Sequence, residues 1–189
     1  MDFFEVIYGR RSVRRYKPDP VSREDILKIL DAANYAPSGM NHQQWDFVVV
    51  QGEKKNLLGE SYGSVAETYT ADWDDKAKAA FINYACSYGG APVVIVVLTE
   101  ASPDKGIRKM NLESASAAMQ NLLLAARALN LGTCWMTGPL NDEASIREIL
   151  DIPDSQEIVA LTPLGYTDNF PQPLPRIDPE LSTKVRWLE

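Results

Sequence analysis

Histidine is all but missing from this chain. His42 is the only one, which excludes catalytic triads that need a histidine base and zinc sites that need two or more histidines, carboxylate-only arrangements aside. Cysteine is almost as scarce. Cys86 and Cys134 form no CxxC pair, so no structural metal site is expected, and two lone cysteines suit a reducing cytoplasm at least as well as a single disulfide. Neither a GxxxxGKS or GxxxxGKT loop nor a GxGxxG turn occurs, so any anion site must be built from side chains. Long apolar runs are lacking too: the strand-like stretch Ala91 to Leu98 falls far short of the ~20 residues a spanning helix requires. The start, MDFFEVIYGRR, carries acids where a signal peptide carries bases, and it has no long apolar region before a small-residue cleavage site. The expectation is a cytoplasmic protein without a membrane span. A net charge of -7 and a pI near 4.8 leave no broad basic surface for nucleic acid.

What is present suffices for a core. The 189 residues are 45% apolar and 24% charged, and they show no repeat or dividing linker, so they read as one domain spanning 1–189. Against the acidic balance one stretch stands out. Gly9 to Lys17, GRRSVRRYK, holds Arg10, Arg11, Arg14, Arg15 and Lys17 with no acid among them. Guanidinium forks bind phosphate through paired charge-assisted hydrogen bonds, and Ser12 adds a hydroxyl donor in their midst. The run is a candidate site for the phosphate of a cofactor; the alternative is a solvated loop paired with some of the 26 acids.

Periodicity predicts alternating helices and strands, hence a three-layer α+β or α/β sandwich. Asp2 starts a short helix through Phe3, Val6 and Ile7 that Gly9 stops; Ser22 and Asp25 start a second, which Pro37 halts. A loop, Ala36 to Gln44, feeds a strand at Trp45 to Val50. Glu53 to Gly90 is weakly periodic, with one helix expected near Asp75 to Tyr88. Its Tyr62, Tyr69, Trp73, Phe81, Tyr84 and Tyr88 read either as a ring-binding lid or as a packed insert. Pro92 to Thr99 should be a central strand. Leu112, Ala115, Met119, Leu122, Ala126 and Leu129 make the seam of the longest helix, ended by Gly132. That helix reads as core, or as core that also packs on another subunit. Beyond it lie a short strand at Thr133 to Met136, a helix capped by Asn141, and a strand from Ile158 to Tyr166. The prolines between Asp168 and Pro179 make residues 168–189 an extended arm, with Lys184 to Leu188 available as a last strand.

Three further segments have the composition of a cofactor wall. In Pro37 to Gln43 the amides of Asn41 and Gln43 can each donate and accept, and Ser38 and Gly39 permit close approach. The turn Trp135-Met136-Thr137-Gly138-Pro139 could aim backbone N–H groups at a ring nitrogen, or be an ordinary strand-to-helix turn. Arg176 supplies another guanidinium from far along the chain, or is one more surface charge.

RRSVRRY, then APSGMNHQQW, then ALNLGTCWMTGP, then LGYTDNFPQPLPR, in that order over essentially the whole chain, resemble the nitroreductase family of FMN enzymes. The one departure is Gln44, where the family pattern usually has proline. The resemblance implies an α+β three-layer sandwich, a central mostly antiparallel sheet flanked by helices, in an intertwined homodimer with FMN at the interface. It implies that Arg10, Ser12 and Arg14 hold the phosphate, the ribityl chain and the N1/O2 edge, that Arg11 adds main-chain contacts, and that Arg176 closes on the phosphate. Pro37, Ser38, Gly39, Met40 and Asn41, with Gln43 in reach, would approach from the other subunit. Met136, Thr137 and Gly138 would line the flavin face or its N5 edge. The activity implied is hydride transfer from NADH or NADPH to a small electrophilic acceptor, with no catalytic side chain required. Dehalogenation, enone reduction or ring oxidation on the same fold, and flavin binding without turnover, are the alternatives.

Overall fold

The computed structural model describes residues 1–189. The β-branched run becomes strand β2 (Val93–Glu100), in which no residue from Val93 to Thr99 is more than 2% exposed. It lies inside a four-stranded antiparallel sheet of order β1-β2-β4-β3, with β1 at Trp45–Val50, β3 at Gly132–Thr133 and β4 at Gln156–Gly165. Its side chains alternate between two cores, as the strand period dictates. Val93, Ile95 and Val97 face helices α2 (Arg23–Asn34) and α5 (Lys105–Ala128). Val94, Val96 and Leu98 face α3 (Gly52–Tyr69), α4 (Asp75–Ser87) and α6 (Glu143–Leu150). In β4 the pairing steps from Val97–Ala160 to Leu98–Ile158, leaving Val159 as an extra residue. This bulge lets Ile158 and Leu161, of opposite parity, share one core.

The helices begin where short polar side chains satisfy their first N–H groups. Asp2 and Glu5 close a reciprocal capping box on α1 (Phe3–Gly9). Ser22 Oγ accepts from Asp25 N–H, and Asp104 Oδ1 from Gly106 and Ile107 N–H. Among the expected elements, β1, the longest helix and the antiparallel sheet are as read. Helix α5 stops through Asn130 in the left-handed region (φ 59), two residues before Gly132.

Four expectations need correction. Residues 52–69 form α3, a second helix in the insert; its inner face mixes Leu58, Tyr62 and Ala66 with Gly59 and Gly63, and glycine erases the apolar signal. Asp142, not Asn141, caps α6: its carboxylate accepts from Ser145 N–H, while Asn141 donates to Gly138 O. The strand after α5 is only β3, with one isolated bridge from Met136 to Leu161. Lys184 to Leu188 forms no strand.

The tail is instead tied by Asp178, whose carboxylate accepts from the N–H and the hydroxyl of both Ser182 and Thr183. Those bonds, the Thr183 N–H foremost, hold its pKa below the ordinary aspartate value. A depressed folded-state pKa means that the contribution is present above the unfolded pKa and lost as pH falls through the folded one. Amide exchange should therefore show Ser182 and Thr183 protected at neutral pH and losing protection below about pH 4. Protection that is unchanged once the Asp178 carboxyl is protonated, followed by its own NMR titration, would contradict it.

Candidate functional site

Beyond α1 the basic run is extended and clamped along the sheet edge. Val13 N–H donates to Thr133 O at 2.9 Å, Tyr16 N–H to Gly89 O at 2.9 Å, and Lys17 N–H to Tyr166 O at 2.8 Å. Contact with β3 is close enough to require glycine: a Cβ at Gly132 would sit 2.8 Å from Val13 Cγ1. Alternation drives Val13 inward, at 1% exposure, and leaves Arg10, Ser12 and Arg14 with their parity on the opposite side.

Arg10, Arg11, Ser12 and Arg14 form one wall of a cavity of about 300 Å³; Pro171, Gln172, Pro173, Leu174 and Arg176 form the other. The structure thus joins Arg176 to the N-terminal run across the length of the chain. None of these arginines is ion-paired; the salt bridges are Lys17–Asp168, Lys54–Asp151, Arg108–Glu157, Lys109–Glu113 and Arg147–Glu143. Burial, and then the charges of Arg11 and Arg176, push the Arg10 guanidinium below its ordinary pKa. Arg11 turns back on α1, donating from Nη1 to Tyr8 O and Arg10 O at 2.6 Å, and its Nε is buried without a partner. An anion in this cavity would relieve the crowding of like charge.

Behind Arg14 lies the segment after β3. Burial raises the Cys134 thiol above its ordinary pKa, against the pull of Arg14, Ser12 and Arg10. Met136 is buried, its sulfur 3.6 Å from Tyr84 Oη; Thr137 is exposed and opens a 3-10 turn from Gly138 to Asp142. Tyr62 and Tyr88 are buried in a cluster of aromatic contacts with Phe81 and Tyr84, so most of the insert's rings pack among themselves. Trp73 stays about half exposed against Phe81.

Pro37 to Gln43 lies elsewhere. Gly39 N–H donates to Ser114 Oγ at 3.3 Å, and a Cβ at Gly39 would overlap the Met110 side chain. Met40, Asn41 and Gln43 all adopt positive φ (52, 57 and 51), a concentration of left-handed residues typical of functional loops. Gln44 is buried: its side-chain Nε2 donates to Asn111 Oδ1 at 2.8 Å, its main-chain carbonyl accepts from Thr99 Oγ1 and Glu100 N–H, and its Oε1 is buried without a partner. It thereby pins the loop to α5 where a proline could not. The loop meets α5 at Met110, whereas Gly9 meets it at Arg127. At 1.5 Å per residue these points are about 25 Å apart, so one chain does not bring the two walls together.

The sequence alone did not reveal Gln172 and Leu174 as cavity wall, nor Asn111 and Ser114 as supports of the loop. For the first pair, proximity to Arg176 in a stiff arm was the only available signal; for the second there was none.

An open antiparallel sheet between helical layers, with a guanidinium-lined cavity at its edge, defines an α+β protein whose cationic cavity is built from side chains rather than from a glycine loop. The nitroreductase family model matches residues 7–166, and the chain belongs to that family. A Methanothermobacter thermautotrophicus protein with the provisional name NADH dehydrogenase/NAD(P)H nitroreductase is 34% identical over 190 residues, 99% of this chain and 88% of its own. A nitroreductase-like family protein from Bacillus cereus superposes with TM-score 0.80 at 26% identity, covering 100% of this chain and 97% of that one. A nitroreductase with bound FMN from Bacteroides fragilis superposes with TM-score 0.73 at 26% identity over 100% of both chains.

Proposed function

We propose that this chain is an FMN-dependent oxidoreductase that acts as a homodimer, using NADH or NADPH to reduce a small electrophilic acceptor such as a nitroaromatic or a quinone. The observation that carries this reading is the unpaired guanidinium cluster of Arg10, Arg11, Arg14 and Arg176 around one cavity, in a chain of this family. A phosphate monoester dianion fits that donor set, since its charge and its oxygens match several guanidinium forks.

In this assignment Arg10 and Arg176 hold the phosphate and Ser12 donates to the ribityl chain. Arg14 stabilises negative charge at the N1/O2 edge. Met136, Thr137 and Gly138 would line the flavin face or its N5 edge, the last two by their backbone N–H groups. When bound, FMN would supply the hydride-transfer chemistry that links the reduced nicotinamide to the acceptor. No side-chain acid or base of this chain is needed for that transfer. The Pro37, Ser38, Gly39, Met40, Asn41 and Gln43 wall would come from the second subunit, since its own chain holds it about 25 Å away along α5. Exposed apolar residues support such pairing: Phe3, Phe4 and Tyr8 at one end, Leu174, Ile177 and Trp187 at the other, several of them more than 80% exposed.

The purified protein should be yellow, bleach anaerobically with NADH or NADPH, and regain colour on addition of a nitroaromatic or quinone. A colourless protein that cannot be loaded with FMN would refute the cofactor, and bound flavin that neither nucleotide reduces would refute the activity. Light scattering should give a dimer at micromolar concentration; a monomer would rule out the composite site.

A further inference from the structure

The arm that carries Arg176 has little of its own to hold it. Residues 171–177 are all exposed and take part in no backbone hydrogen bond. Pro171, Pro173 and Pro175 stiffen it, so its placement is inherited from its root. Beyond the local turn in which Thr167 Oγ1 bonds Asn169, two contacts with distant residues fix that root. One is the exposed Lys17–Asp168 ion pair, of little consequence in water. The other is Phe170, whose ring lies under the Arg127 guanidinium with Cζ 3.9 Å from the ring centroid.

Arg127 is an odd residue to find there. It stands in the last turn of α5, forms no salt bridge, and has a buried Nε without a hydrogen-bond partner. Its one polar side-chain contact is a long one, from Nη1 to Asn130 Oδ1 at 3.5 Å. It passes so close to the end of α1 that a Cβ at Gly9 would lie 3.3 Å from its Nε and Nη2. Gly9 immediately precedes Arg10, the first residue of the cationic wall, and Phe170 immediately precedes Pro171, the first residue of the arm wall. Arg127 therefore touches the root of each wall and neither wall's ligand face.

We infer that Arg127 is a positioning residue for the anion cavity: stacked on Phe170 and seated against Gly9, it sets the spacing between the Arg10–Arg14 run and Arg176. Resting as it does on the FMN reading, the inference makes a narrow claim, that Arg127 acts through Arg176 and hence on the phosphate end of the ligand. FMN and riboflavin differ only there.

The test is to titrate apo-protein with FMN and with riboflavin, following flavin fluorescence, for the wild type, Arg127→Met, Arg127→Lys, Phe170→Leu and Phe170→Trp. Arg127→Met and Phe170→Leu should weaken FMN on the order of tenfold, corresponding to about 1.4 kcal/mol, and leave riboflavin within about twofold. Arg127→Lys and Phe170→Trp, which retain a cation over a ring, should restore most of the FMN affinity. Parallel losses for both flavins would show a merely structural role, and an unchanged FMN-to-riboflavin ratio in Arg127→Met would overturn the assignment. A wild type that binds FMN no better than riboflavin would overturn the phosphate-site reading, and this inference with it.

Discussion

Arg10→Glu should abolish FMN binding at concentrations that saturate the wild type. The side chain lines the cavity between Arg11 and Arg176, and none of the three has a carboxylate partner. Removing one member of a desolvated charge pair costs about 2–5 kcal/mol, and reversing its sign adds repulsion, so the loss should be at least about a hundredfold. The effect on the empty protein should run the other way. Burial and the neighbouring guanidiniums disfavour the charged form of Arg10, which means that folding works against this charge in the absence of a ligand. Arg10→Met apo-protein should therefore melt no lower than the wild type while binding FMN weakly. Equilibrium titration and a thermal melt on the same samples separate the two effects. Full flavin occupancy in Arg10→Glu would remove Arg10 from the site, and a large drop in apo melting temperature for Arg10→Met would show it to be a structural residue instead.

Much of the fold and part of the site were legible in the sequence, and particular residues show why. Strand β2 was readable because its short apolar run is almost wholly β-branched, the composition that separates a strand covered on both faces from a buried helix segment. Helix α5 was readable because its apolar positions repeat over many turns. Arg10, Ser12 and Arg14 were legible as one set only through the family resemblance; the structure supplies a physical reason, an extended segment in which Val13 turns to the core, although Arg11, of the other parity, shares their wall. Helix α3 was not, because the feature that defines it is a crossing between helices, and a crossing is written in small residues rather than apolar ones. Gln172 and Leu174 belong to the cavity only through the path of the arm, and that path depends on Phe170 meeting Arg127 from a distant helix end. Contacts between elements far apart in sequence leave little local trace. The role of Gln44 shows the same thing from the other side: it appears in the sequence as a departure from a family pattern and in the structure as a buried amide paired with Asn111.

Gly59→Ala should be strongly destabilising, although it adds only a methyl group. Alanine is normally favoured over glycine inside a helix by about 1 kcal/mol, so the substitution starts with an advantage that packing must overcome. Here it does. An added Cβ would overlap the Cys86 carbonyl oxygen and come 2.9 Å from its carbonyl carbon, and these are backbone atoms near the end of α4 that cannot rotate away. Helices α3 and α4 would have to separate, at a net cost of about 3 kcal/mol. For a chain of this size that lowers the melting temperature by about 6–12 °C. Gly63, one turn on, provides the control, because the Cβ there would meet the Cys86 sulfur, the end of a side chain. Cys86→Ala should rescue Gly63→Ala and leave Gly59→Ala unrescued, a difference that distinguishes backbone overlap from general crowding. The consequence reaches the site: α4 carries Tyr84 against Met136, so moving the helix outward releases the wall behind Arg14. Gly59→Ala should accordingly weaken FMN binding along with stability. Melting curves of the three single and two double variants provide the check, and rescue of Gly59→Ala by Cys86→Ala would show that the side chain, rather than the carbonyl, sets the helix spacing.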